Sequence, residues 1–190
     1  MMPGRLIQLR PAAQAQASDL TDEGLAAACA TGDRVACGIV FDTHADAVNR
    51  FLARMRAGDA ATIDDLVQAT FLTAFRCAGK FRGPRMRSWL YGIAANLLRT
   101  HIRTEVRRRR LVARIDDPMT QTVDPVNADV EKLRIAIDAL APLLRAAIVL
   151  IDLEGETARD AADALDVSEP KLYRLLAKAR GQLKLALGAA

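Results

Sequence analysis

Residues 62–110 decide the fold: TIDDLVQATFLTAF (62–75), RCAGKFRGPRMR (76–87) and SWLYGIAANLLRTHIRTEVRRRR (88–110). In the first piece Ile63, Leu66, Val67, Thr70, Phe71, Ala74 and Phe75 recur at offsets of three and four, one apolar stripe of an α-helix. Thr62, with Asp65 three residues on, forms a capping-box-like start. Gly79, Gly83 and Pro84 then interrupt the chain. The last piece predicts a helix from about Arg87 to Arg110, with Leu90, Ile93, Ala94, Leu97 and Ile102 facing inward and arginines crowding its end. An acidic-start helix, a basic aromatic loop and an arginine-dense helix in this order suggest a protein-facing surface followed by a nucleic-acid-facing one.

Working towards the N-terminus, one helix is expected from Thr21 and Asp22 to Gly32. Asp33 can cap the next, since its carboxylate accepts from first-turn N–H groups. That helix carries Ile39, Val40, Ala47, Val48, Phe51 and Met55 on one side and is expected to end near Gly58. Residues 1–19, rich in Ala, Gln and Pro, read as a flexible leader without the apolar run of a secretory signal.

Towards the C-terminus, IDDPMTQTVDPVNA (115–128) contains two Asp-Pro steps, which resist helix. The expected organisation is a leader at 1–19, a domain at 20–112, a linker at 113–128 and a second domain at 129–187. The second domain reads as four helices: one carrying Val130, Leu133, Ile137 and Leu140, one opened by Pro142 and ending near Asp152, then Thr157–Leu165 and Ser168–Leu187. The last two have a helix-turn-helix layout. Ala161, Ala162 and Leu165 suit a close crossing, Asp166-Val167-Ser168 makes the turn with Ser168 as N-cap, and Pro170 sits in a first turn where its missing N–H is harmless. Leu172, Leu176 and Ala179 face inward, leaving Lys171, Tyr173, Arg174, Lys178 and Arg180 for a DNA groove and its phosphates.

Composition fits an all-α protein. Of 190 residues 51% are apolar and only 4% aromatic, with Ala and Leu dominant, a balance that favours helix over strand. No run reaches the roughly 20 apolar residues needed to cross a bilayer, so membrane insertion is not expected. Cys29, Cys37 and Cys77 form no CxxC and are odd in number, which fits a reducing cytoplasm better than a disulfide framework or metal site. His44 and His101 have no metal-binding or catalytic company. Neither nucleophile–base pair nor phosphate loop is present, so binding is expected rather than catalysis, with no cofactor.

Charge is strongly segregated. The net is −3 over residues 1–75, +11 over 76–114, −9 over 115–169 and +5 over 170–190. Two basic blocks separated by an acidic one imply two separate polyanion sites.

These stretches resemble the sigma-70 family of bacterial transcription initiation factors, in its extracytoplasmic-function (ECF) group. ATGDRVACGIVFDTHADAVNRFLARM and DDLVQATFLTAF resemble region 2 up to the part that docks on the polymerase beta-prime clamp. That resemblance implies core-polymerase contacts from Asp64, Asp65, Gln68 and Leu72. FRGPRMRSWLYGIAANLLRTHIR resembles the part that melts and captures the minus-10 element. It implies DNA contacts from Lys80, Phe81, Arg82, Arg87, Trp89, Tyr91, Asn96, Arg99 and Arg103, with aromatic stacking and backbone-tracking cations as the chemistry. Trp89 also reads as a core anchor for the loop.

Leu140, Pro142, Arg145, Leu153 and Gly155 fit region 4, which implies minus-35 contacts from Ser168, Lys171, Tyr173, Arg174, Lys178 and Arg180, and a place on the polymerase beta flap. An anti-sigma factor is the regulating partner that the resemblance implies. The sequence departs from the family at Ala69 (usually Glu), Thr100 (commonly Asp), Asp166 (usually Gly) and Pro170-Lys171 (usually Gly-Thr). A stand-alone helix-turn-helix regulator and a sigma mimic that titrates an anti-sigma factor are the alternatives.

Overall fold

A computed structural model describes residues 21–55, 58–83, 85–112 and 128–188. The expected leader, and the expected linker apart from Ala128, lie outside the described residues. All regular structure among the described residues is helical. The first unit holds α1 (Asp22–Ala30), α2 (Arg34–Arg54), α3 (Ala60–Cys77), a 3-10 turn (Ala78–Lys80) and α4 (Met86–Val112). The second holds α5 (Ala128–Asp138), α6 (Pro142–Ile148) running into a π turn (Val149–Leu153), α7 (Ala158–Ala164) and α8 (Glu169–Leu187).

The caps explain most of these boundaries. Thr21 Oγ1 accepts from Gly24 N at 3.2 Å, and Asp33 Oδ1 accepts from Val35 N at 2.8 Å and Ala36 N at 3.2 Å. Helix α3 begins earlier than expected. Its N-cap is Asp59, which accepts from Thr62 N at 2.9 Å. Thr62, by its side chain first and then its backbone N–H, holds the Asp59 carboxyl below its usual range. A carboxylate just after Gly58, whose φ is +137°, reaches the free N–H groups before Thr62 can. Helix α2 ends at Arg54, short of Gly58.

In the first unit α2, α3 and α4 pack on one another, with α1 laid across them. The expected stripe of α3 is the one that is buried: Leu66, Val67, Thr70, Phe71 and Ala74. Phe51 and Tyr91, both fully buried, stack with ring centroids 4.9 Å apart. In the second unit α6 and α7 pack on α8, whose Leu172, Leu176 and Ala179 are buried as expected. Val130 and Leu133 of α5 remain 61% and 38% exposed, while Leu140, beyond the helix, is buried.

The two units share one continuous apolar core. Helix α7 lies directly on α4. Gly92 permits this approach, because a Cβ there would sit 3.1 Å from the Ala164 carbonyl oxygen and 3.2 Å from its Cα. Arg145 adds a polar tie, donating from Nη1 to the Met55 carbonyl at 3.0 Å, from Nε to Ile137 O at 3.2 Å, and from Nη2 to Asp138 O.

Candidate nucleic-acid interface

The basic loop and the start of α4 are held by a residue far away in sequence. Arg85, just before α4, has no side-chain acceptor with which to cap it. Asp22, in the first turn of α1, accepts from Met86 N at 2.6 Å instead. Within the loop Arg82 folds back, donating from Nη1 to Gly79 O at 2.8 Å and Phe81 O at 2.7 Å. The Phe81 ring packs against Trp89 with centroids 5.3 Å apart and interplanar angle 64°.

The nine residues expected at the minus-10 element divide by burial. Lys80, Arg82, Asn96, Arg99 and Arg103 are exposed, Arg87 and Trp89 are half-buried, and Phe81 and Tyr91 are buried. In this arrangement the Phe81 ring is buried and committed to Trp89 and the core. Tyr91 is likewise committed, with its ring against Phe51 and its hydroxyl donating to Glu154 Oε2 at 2.8 Å. Burial first, then this hydrogen bond, raises the phenol above its usual range.

Carboxylates of the second unit cover this surface. Arg87 Nε donates to Glu156 Oε1 at 2.6 Å, and the Ser88 hydroxyl donates to Glu156 Oε2. Arg54 pairs with Glu154 and donates to Leu153 O at 3.1 Å. Arg85 lies 3.6 Å from Asp160. A cleft of about 350 Å³ remains between the units, with Lys80, Arg82 and Asn96 on one wall and Asp160, Asp163 and Asp166 on the other. Ser88, Arg54 and the three paired carboxylates were not among the expected site residues. The opposite net charge of the 76–114 and 115–169 blocks signals the carboxylates, but not Ser88, which is uncharged, nor Arg54, which lies in the net-acidic 1–75 block.

The other two expected surfaces are open. On α3, Asp64, Asp65, Gln68 and Leu72 are all exposed, Leu72 by 55%. Their spacing places them on one face, opposite the buried stripe. On α8, Ser168, Lys171, Tyr173, Arg174, Lys178 and Arg180 are exposed, with Tyr173 at 56%. Arg180 is already engaged, its Nη2 2.7 Å from Asp152 Oδ1. Among the described residues no three His, Cys, Asp or Glu side chains converge as a metal site would require, and no helix is long and apolar enough to cross a membrane. Cys29 is buried, and burial is the main reason its thiol is pushed up to about 12. It is therefore a poor nucleophile.

Residues 40–108 match Sigma-70 region 2, and residues 131–183 match Sigma-70, region 4. The ECF RNA polymerase sigma factor SigM of Mycobacterium tuberculosis is 33% identical over 175 residues, covering 88% of this chain and 85% of the relative. The chain belongs to the ECF sigma factors of the sigma-70 family. The sigma factor CarQ of Myxococcus xanthus is 37% identical over 120 residues, 61% of this chain and 68% of CarQ. Among solved structures, CnrH in complex with the cytosolic domain of CnrY superposes with a TM-score of 0.65 at 27% identity, covering 88% of this chain and 97% of CnrH. RpoE from Bartonella quintana, in complex with the anti-sigma factor NepR, gives 0.65 at 22% identity, covering 78% and 94%, a likeness of fold.

As an ECF sigma factor the protein binds core RNA polymerase and directs it to promoters. Its departures from the family are visible in the backbone. Asp166 adopts φ +53°, a left-handed conformation that Asp tolerates where most residues do not. Val167 N, next to it, donates to Ala162 O at 3.0 Å and keeps the turn closed. Thr100 donates to the Asn96 carbonyl at 3.0 Å, so its hydroxyl serves its own helix. Ser168 holds the N-cap position of α8 but makes no side-chain capping hydrogen bond.

Proposed function

We propose that this sigma factor works by binding through three surfaces: the α3 face of Asp64, Asp65, Gln68 and Leu72 on the polymerase beta-prime clamp, the loop and α4 on the melted minus-10 element, and α8 on the minus-35 duplex. The observation that carries this reading is the exposure of the α3 and α8 faces in a chain whose two matched regions stand in the family's order. Lys171, Tyr173, Arg174 and Lys178 offer the groove a mixed polar and cationic face, while Lys80, Arg82, Arg99 and Arg103 suit phosphates. Asn96, already exposed, serves the minus-10 strand, joined by Arg87, Trp89, Tyr91 and Phe81 once they are accessible. The regulating partner is an anti-sigma factor, by family resemblance, and the site of action is the cytoplasm, where polymerase and DNA are. Nothing in this role requires a covalent step.

The test is run-off transcription with purified core RNA polymerase and genomic fragments. Discrete start sites that need this protein are expected. Co-elution with core is expected to be lost in Leu72→Ala combined with Gln68→Ala. Retained binding in that double variant would move the docking surface elsewhere. Arg87→Ala should impair opening of duplex promoters more than of pre-melted ones, whereas equal loss on both would remove the loop from melting.

A further inference from the structure

We infer that Asp22 is a positioning residue for promoter melting: helix α1 braces the basic loop at both ends, and the Asp22 carboxylate fixes the end from which Arg87 and Trp89 project. This rests on the reading of the loop and α4 as the minus-10 surface.

The start of α4 is weakly held from within. Arg85 offers no side-chain acceptor to its free N–H groups, and the bond that closes its first turn, Trp89 N to Arg85 O, is long at 3.4 Å. Helix ends in this condition fray. Asp22 supplies what is missing, its Oδ2 accepting from Met86 N at 2.6 Å. A carboxylate makes a strong, charge-assisted bond to a backbone N–H at a helix start, and its charge suits the positive end of the α4 macrodipole. The carboxylate is available because α1 does not use it. Thr21 Oγ1 already caps that helix through Gly24 N at 3.2 Å. Met86 is itself 1% exposed, so the tie is made at the core. Both Asp22 and Arg87 act on the charge of His44, which puts the carboxylate within electrostatic reach of Arg87.

The other end of α1 meets the other end of the loop. Helix α1 packs on the 3-10 turn, where a Cβ at Gly79 would lie 3.7 Å from that of Ala30. Leu25, Ala26 and Cys29 are buried between the two ends. Arg82, in turn, is held by Gly79 O at 2.8 Å. One nine-residue helix therefore pins both the turn before the loop and the helix after it. The region 2 match begins at residue 40, so α1 and Asp22 lie outside it, and the brace is a feature of the tertiary structure alone.

Groups that are fixed before a strand arrives lose less freedom on binding it. On a duplex, capture of the strand must also offset unpairing and unstacking, so a loosened loop shows there first. On a pre-melted template that penalty is absent.

The experiment is run-off transcription by the full chain with core polymerase, on one promoter taken from the genomic fragments. The promoter is used as a duplex and pre-melted across the minus-10 element. Wild type is compared with Asp22→Ala, Asp22→Ser and Asp22→Asn. Asp22→Ala is expected to initiate about fivefold less on the duplex, the effect of losing one cap, and to stay within about twofold on the pre-melted form. Asp22→Asn keeps an acceptor oxygen of the same reach and is expected to match wild type on both. Serine is too short to reach Met86 N but is well tolerated at a helix start. Asp22→Ser should therefore behave as alanine does, and it decides if circular dichroism shows the alanine variant unfolded. Co-elution with core is expected to be unchanged throughout. Equal loss on the two templates, no loss on either, failure of Asp22→Asn to restore the duplex, or loss of core binding would each overturn the inference. Arg87→Ala in the same assay reports separately on the loop. A duplex-selective loss there with none at Asp22 leaves the minus-10 reading standing and removes the brace.

Discussion

Arg145 shows what one side chain contributes to the junction of the two units. Its guanidinium donates to carbonyls at Met55, Ile137, Asp138 and Leu140, so a planar fork serves both the end of α5 and the end of α2. A lysine cannot reproduce that geometry. Arg145→Lys is expected to lose about 1–3 kcal/mol, the range for hydrogen bonds to a charged group and for carbonyls left unpaired, measured by urea unfolding. The position is legible in sequence as part of the region 4 pattern, but its carbonyl partners are not, because carbonyls carry no sequence identity. His44 makes a second residue-scale case. Burial is the main cause that lowers its pKa, Arg87 lowers it further and Asp22 opposes them. The unfolded chain therefore binds more protons than the folded one in the window just below the ordinary value of about 6.5. This contribution to stability is fully present above that value and is lost as pH falls through the window. Urea midpoints of the wild type should drop on acidification more steeply than those of His44→Gln.

At the scale of the element, the caps separate what sequence can and cannot tell. Asp33 is legible as a cap and acts as one, with two backbone N–H groups on a single carboxylate oxygen. Ser168 is equally legible by position, yet its hydroxyl makes no capping bond and α8 relies on Pro170 and its own packing. Asp33→Ala is expected to cost about 1 kcal/mol, and Ser168→Ala to stay within about 0.5 kcal/mol. Chemical denaturation of the two variants side by side checks the contrast. Helix α4 illustrates the opposite limit. Its cap, Asp22, lies 64 residues upstream, beyond any local pattern, and it locks the first turn of α1 to the base of the minus-10 loop. The start of α3 is a nearer miss, because Asp59 and Thr62 are both good caps and only the backbone turn at Gly58 selects between them.

For the whole molecule, helix content, the two family regions and the exposed faces of α3 and α8 can be read from periodicity and resemblance. The packing of the acidic block on the basic one cannot, since charge segregation reads equally well as two independent polyanion sites. The difference lies in small residues: Gly92, Ala161 and Ala164 let α4 and α7 meet, which turns a long-range attraction into a close contact. One core running through both units has a thermodynamic consequence. Trp89, the single tryptophan, belongs to the first unit and lines the cleft facing Ala164 of the second, so its fluorescence senses both the fold of region 2 and the closure, while far-ultraviolet circular dichroism weighs all helices. If the units unfold as one, the two signals should trace the same urea transition. Arg87→Ala should separate them, because it strands Glu156 in a buried site, a loss of about 3–5 kcal/mol while the contact persists, and that loss is avoided simply by opening. The Trp89 signal would then shift at a urea concentration below the main loss of helix, and the helical transition would broaden. Coincident curves in this variant would mean that apolar contact alone holds the units together and that the ion pair only sets their register.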